Sequence, residues 1–180
     1  MAVDLNVNTV AGSKTSTEGT YSTYGVSGQG KTPAATTTDI VTLTGSATKI
    51  VKIKRVTVSG QAATAGSMDV SLVKRTASNT GGTSTTVTAG QFDSTDSAST
   101  AVAKLYTANP SALGAGVALT TQTLNFGVAG AAGTVVFDFA NRNDKAIYLR
   151  GIAELLAINL NGGTVPATSL LGYTIEFEEI

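Results

Sequence analysis

Cysteine, histidine and tryptophan are all missing from this 180-residue chain, and charge is scarce. Without cysteine there are no disulfides, no thiolate metal ligands and no thiol nucleophiles. Without histidine the commonest general base and the commonest metal ligand are gone. An enzyme can work through paired carboxylates or a lysine instead, but the residue set argues against catalysis. The expectation is a non-enzyme with no cofactor and no metal. Lys plus Arg and Asp plus Glu number 12 each, so the net charge is zero and no global field draws the chain to nucleic acid or an anionic membrane. With no Trp and five scattered Tyr, no stacking platform for sugars or single strands is visible. The N-terminal Met1-Ala-Val-Asp-Leu-Asn lacks a basic region followed by an apolar stretch, so no secretion signal is expected. The most apolar windows, 127–140 and 151–160, are shorter than a membrane span and contain Asp138 and Glu154.

What fills the gap is Ser, Thr, Gly and Ala, with 42 % apolar residues and only 13 % charged. That charged share is about half the usual ~25 % of a soluble domain. Such a composition suits a β protein whose outward positions are Thr and Ser. Residues 1–38 are poor in large aliphatic side chains and bury too little apolar area to offset the entropy of ordering. They are read as an extended N-terminal arm, either a loose terminus or an arm ordered by a neighbouring subunit. Val3, Leu5 and Val7 share one strand phase, and with Tyr21 and Tyr24 they are the candidate partner-binding residues.

From Asp39 to residue 180 the apolar period becomes two, as half-buried strands require. Val51 and Ile53 share one phase and Val56 and Val58 the other, which predicts a bulge or sharp bend near Lys54-Arg55. Met68, Val70 and Leu72 form a run, followed by Ala101, Ala103 and Leu105, then Val117 and Leu119, then Val135, Phe137 and Phe139. Ile147 and Leu149, then Ile152, Leu156, Ile158 and Leu160 come next, and Leu171, Tyr173, Ile175 and Phe177 form the clearest run. Turn residues separate them at Asn79-Thr-Gly-Gly, Asn109-Pro, Gly130-Ala-Ala-Gly, Asn141-Arg-Asn-Asp and Asn161-Gly-Gly. Eight or so strands with frequent turns indicate an all-β fold, an antiparallel sandwich of jelly-roll type. Short helices over 98–106 and 152–160 are the competing reading on propensity.

Gly25-Val-Ser-Gly-Gln-Gly30-Lys31-Thr32 matches the phosphate-binding pattern G-x-x-x-x-G-K-[ST]. That chemistry needs a buried strand before the loop and a helix after it. Pro33 and Thr36-Thr-Thr-Asp offer no helix start, so a Gly-rich turn in the arm is the preferred reading. Asp93 and Asp96 lie in a polar loop that could hold Ca²⁺ but does not have EF-hand spacing. Glu176 and Glu178 share the face opposite the apolar one, where water is the default neighbour. Lys49, Lys52, Lys54 and Arg55 form the one basic cluster, read as a solvent-facing strand edge where lysine blocks unwanted pairing.

Three stretches carry a family likeness: Ser71-Leu-Val-Lys-Arg-Thr-Ala-Ser-Asn-Thr-Gly-Gly-Thr-Ser, Asp93-Ser-Thr-Asp-Ser-Ala-Ser-Thr-Ala-Val-Ala-Lys-Leu-Tyr-Thr-Ala-Asn-Pro, and the closing segments Lys145-Ala-Ile-Tyr-Leu-Arg-Gly, Leu155-Leu-Ala-Ile-Asn-Leu-Asn-Gly and Tyr173-Thr-Ile-Glu-Phe-Glu-Glu. Over residues 67–180 the chain resembles virion-associated structural proteins of tailed bacteriophages and prophages. The resemblance implies a capsid decoration or cement protein, a small β-sandwich on the outer surface of a phage head, with no catalytic residues to carry over. It implies as partners copies of the chain itself and the major capsid or other virion proteins. A homo-oligomer is expected, a trimer being the natural guess at a capsid axis. Its place would be the virion, after assembly in the host cytoplasm. The alternatives are a neck, tail or fibre component, and a host-glycan-binding module on the same fold.

Overall fold

The computed structural model describes residues 21–128, 131–139 and 145–180. Within them lie twelve strands and no helix: β1 Ser22–Lys31, β2 Thr37–Thr44, β3 Ile50–Gln61, β4 Gly66–Arg75, β5 Thr83–Val87, β6 Gly90–Gln91, β7 Val102–Ala108, β8 Gly116–Phe126, β9 Gly133–Asp138, β10 Ile147–Arg150, β11 Leu155–Asn161 and β12 Leu170–Glu179. They form two antiparallel six-stranded sheets. The first runs β10-β3-β12-β1-β6, with β9 beside β10 on the same flank of β3, and the second runs β5-β7-β2-β11-β4-β8. The inner faces meet in one apolar core that includes Tyr24, Ile53, Leu72, Leu156, Ile158 and Phe177. The expected antiparallel sandwich is therefore the fold. Between strands the chain passes repeatedly from one sheet to the other.

The predicted bulge in β3 sits at Lys54: Arg55 stands opposite Glu176 and Ile53 opposite Phe177, which leaves Lys54 without an opposite residue. The extra residue flips the phase, so Val51, Ile53, Val56 and Val58 all reach the core. The turn at Asn79–Gly82 separates β4 from β5, with Gly81 and Gly82 at positive φ; the turn after Asn161 uses Gly162 and Gly163 in the same way. The segments with helical propensity are strands. Every residue of β11 from Leu155 to Leu160 is buried, with Leu156, Ile158 and Leu160 in the core. Leu155 and Ala157 join Val73 in a second small cluster on the other face. A strand buried on both faces reads as a continuous apolar run, which periodicity alone does not separate from a helix.

The expected arm over residues 1–38, with a domain beginning at Asp39, does not hold for its second half. Ser22–Lys31 is strand β1, paired along β12 from Ser22 opposite Glu179 to Lys31 opposite Leu171, and Asp39 lies inside β2. The segment looks weak because its core contribution is partly borrowed. A Cβ on Gly28 would lie 2.8 Å from the Tyr173 ring, and one on Gly25 would lie 2.9 Å from Phe92. The Tyr173 ring of β12 fills the core-side space at Gly28, while the exposed Phe92, just after β6, covers Gly25 on the outer face. Val3, Leu5 and Val7 lie outside the described residues.

Candidate functional site

Four buried charged side chains among the described residues, Asp39, Arg75, Glu178 and Glu179, could carry chemistry, and the geometry engages each of them within the chain. Asp39, on β2, is fully buried. Arg75 at the end of β4 grips it with two bonds, Nε to Oδ2 at 2.5 Å and Nη2 to Oδ1 at 2.6 Å. Asn79 Nδ2 donates to Oδ2 at 2.8 Å and Asn159 Nδ2 to Oδ1 at 2.7 Å. Four donors saturate the carboxylate. Arg75 Nη1 also donates to Gly114 O at 2.5 Å, and Gly114 N to Asn79 Oδ1 at 2.9 Å, which ties the β7–β8 connection to the turn after β4. A bidentate pair closed in this way holds loops in place and has no lone pair left for a substrate.

Glu178 and Glu179 lie side by side on β12. Glu178 accepts from Lys54 at 2.6 Å and Lys52 at 3.2 Å across the sheet. Burial pushes its carboxyl up, and the bonds from Lys54 and Lys52 more than offset that, leaving it below the ordinary carboxylate value. This corrects two expectations. Glu178 is buried rather than water-facing, and Lys52 and Lys54 stand on a strand flanked on both sides rather than on an edge.

Glu179 Oε1 accepts from the Ser99 hydroxyl at 2.7 Å, Thr100 N at 2.8 Å and Ala101 N at 2.9 Å, while Lys49 Nζ reaches Oε2 at 3.1 Å. Burial raises this carboxyl too, and the Ser99, Ala101, Lys49 and Thr100 donors together bring it below the ordinary value. Glu179 thus bolts β12 of the first sheet to the approach to β7 in the second. At the opposite end of β12's partner strand, Lys31 donates to Tyr106 O on β7, and burial lowers its pKa. The phosphate-loop match therefore lies in an extended strand with its lysine joining the two sheets, neither a phosphate loop nor the Gly-rich turn expected.

Of the candidate partner-binding residues, Tyr24 is wholly buried, stacked on Phe177 with centroids 5.4 Å apart, and its hydroxyl donates to Ser97 O at 2.8 Å. It serves the core and cannot meet a partner. Tyr21 is at the surface, at the start of the described chain. Asp93 accepts from Thr95 N at 2.9 Å and Thr95 Oγ1 at 2.8 Å, a local turn whose two donors lower its pKa. Among the described residues no group of three metal-ligating side chains comes together.

Hollows on the surface are open. One of about 370 Å³ lies over Ser27, Gly28, Thr57, Ser59 and Thr174, and another of about 270 Å³ lies between Leu119 and Gln122 of β8 and Val136–Phe139. Tyr173 Oη and Thr38 Oγ1 are buried without a partner.

One surface feature was not read from the sequence as such. In β8, Leu124 and Phe126 are buried, but Val117 and Leu119 are 67 % and 48 % exposed. Leu72 stands opposite Thr120 and Val73 opposite Ala118, so Leu119 is bulged and the strand changes phase there. The odd-numbered Val117 and Leu119 against the even-numbered Leu124 and Phe126 signal the phase break, since one regular strand cannot put both sets on one face; with the bulge, Val117 stands opposite Lys74 and so shares the phase of Leu124, and its exposure is not a matter of phase. No family model matches the chain, and neither the curated proteins nor the solved structures yield a match.

Proposed function

We propose that this chain is a non-enzymatic structural protein of a tailed-phage particle, a decoration or cement protein on the outer surface of the head. The observation that carries the reading is the uncharged surface of the outer strands of the second sheet. β5 is Thr-Ser-Thr-Thr-Val, and β8 runs Gly-Val-Ala-Leu-Thr-Thr-Gln-Thr-Leu-Asn-Phe without a charged residue. Such a surface loses little hydration on association and favours broad contact over capture of a charged ligand. The buried carboxylates Asp39, Glu178 and Glu179 support the same reading, because each is spent on holding loops and sheets together. Many weak contacts repeated by capsid symmetry then supply avidity.

The test is co-sedimentation of the purified chain with heads assembled in its absence. The expected result is saturable binding at a fixed number of copies per head. Chain left in the supernatant at saturating heads overturns the head assignment, and label found on tails instead moves it to a neck, tail or fibre role.

A further inference from the structure

The outer face of the first sheet carries an aromatic ring at each flank, with charge of opposite sign beside each. On the β10 flank, Ile147 and Leu149 turn into the core and leave Tyr148 and Arg150 on the outer face. Lys145 Nζ and the Arg150 guanidinium each stand 5.8 Å from the centre of the Tyr148 ring. Both cations are exposed, and no carboxylate of the described residues pairs with either. Glu154, close to Arg150, is taken by Lys74 at 2.9 Å and by the Arg150 backbone N at 2.7 Å. On the β6 flank, Phe92 is 64 % exposed over Gly25, with Asp93 exposed and Asp96 half-buried just after it. No cation of the described residues pairs with either aspartate, and Lys49, within electrostatic reach of Asp96, is bonded to Glu179. The two flanks stand at one level of the sheet. Tyr148 is opposite Lys52, Lys52 opposite Glu178 and Glu178 opposite Thr23, whose carbonyl accepts from Phe92 N at 2.9 Å. Four inter-strand steps hold them roughly 19 Å apart, so within one copy they never meet.

We propose that the Phe92, Asp93 and Asp96 flank of one copy docks on the Tyr148, Lys145 and Arg150 flank of a second copy of this chain. Charge complementarity names the occupant. Two carboxylates face two cations and a ring faces a ring, and one chain holds both halves. Pairing of the aspartates with Lys145 and Arg150 brings Phe92 against the Tyr148 ring, so the charges set the register and the rings supply the apolar contact. A zero net charge means that two copies do not repel at long range. Because the two surfaces differ, the contact closes either in a ring or in a two-fold pair that makes it twice. Ion pairs on an exposed rim are individually weak, and repetition around a closed assembly is what adds them up. The contact goes beyond the head assignment, and the two fail separately, since association is measured without heads.

The experiment is sedimentation equilibrium of the full chain, arranged as a double-mutant cycle. The wild type is expected to associate with a dissociation constant tighter than about 100 μM. Lys145→Gln/Arg150→Gln is expected to weaken that association more than about fivefold with the melting temperature kept. Asp93→Asn/Asp96→Asn is expected to do the same, since Asn at position 93 still accepts the Thr95 bonds. All four changes together are expected to weaken it little more than either pair alone, because each pair removes the same contact. Should the Asn pair lower the melting temperature, raising salt from about 0.05 M to about 0.5 M screens the same charges and must weaken the wild type while leaving Lys145→Gln/Arg150→Gln nearly unchanged. A wild type that is monomeric at about 1 mM overturns the proposal. So does either pair variant that folds and associates as the wild type does. A combined variant whose loss is the product of the two separate losses overturns it too, because the flanks then belong to different contacts.

Discussion

Glu178 and Glu179 are neighbours on β12 and therefore point to opposite faces, one to the lysines on the outside of the sheet and the other into the end of the sandwich. Both carboxyls lie below their ordinary value, so each stabilises the fold in its charged form. Their contribution is complete above the unfolded-state pKa of about 4.3 and is lost as pH falls through the lower folded-state values. Urea midpoints are expected to hold steady from neutral pH to about pH 5 and to fall below about pH 4. Glu178→Gln/Glu179→Gln is expected to be less stable at pH 7, with its gap to the wild type closing on acidification. A gap that stays constant with pH means that these two groups are not linked to folding. On the same strand, Phe177 is wholly buried against Tyr24, while Thr174 lies on the outward phase and is half-buried. Phe177→Ala is expected to cost about 3–5 kcal/mol and Thr174→Ala less than about 0.5 kcal/mol. Equal shifts in denaturant midpoint would put the inward phase of β12 in the wrong register.

Strand β1 supplies Tyr24 and Val26 to the core and pairs with β12 over most of its length. A chain beginning at Asp39 loses that strand, exposes the edge of β12 and leaves Phe177 without its ring partner. It is expected to show no cooperative thermal transition by near-ultraviolet circular dichroism. A retained transition would mean that the remaining strands form a sandwich without β1. The same strand shows where sequence reading runs out. Runs such as Met68-Val70-Leu72 and Leu171-Tyr173-Ile175-Phe177 were legible because each strand buries one face and supplies its own apolar side chains. The bulge at Lys54 was legible because the phase break falls within four residues of one strand. β1 was not, because the space at Gly28 is filled by Tyr173 from a strand more than a hundred residues later. The lysines on β3 looked like an edge for the same reason. Their partner Glu178 is 126 and 124 residues away from Lys52 and Lys54, and no local pattern reveals it. The cluster on Asp39 draws on residues 36, 40 and 120 positions distant, so composition could suggest its members but not their meeting.

At the scale of the whole molecule, none of the ten strand ladders joins strands that are consecutive in sequence. No hairpin among the described residues can form first and template the rest. The two strands that join the early strands within each sheet also come late in order: β12 lies between β3 and β1, and β11 lies between β2 and β4. Each sheet therefore lacks a central strand until residues 155–179 are in place. Every loop that closes a ladder must lose its entropy before the contact that rewards it exists, and folds built this way are slow. Refolding by stopped-flow tyrosine fluorescence is expected on the scale of milliseconds to seconds. Tyr24 and Tyr173 report on the first sheet and Tyr106 on the second, so the sandwich is expected to appear in one main phase in which both sheets gain structure together. Phe177→Ala is expected to slow that phase if the β1–β12–β3 contact forms in the transition state, and otherwise to speed unfolding. Removing residues 170–180 is expected to abolish the cooperative transition altogether, because β1 and β3 are then left without the strand that joins them. Refolding complete within microseconds, or a cooperative transition that survives that deletion, would mean that part of the sandwich assembles from local contacts, against the topology.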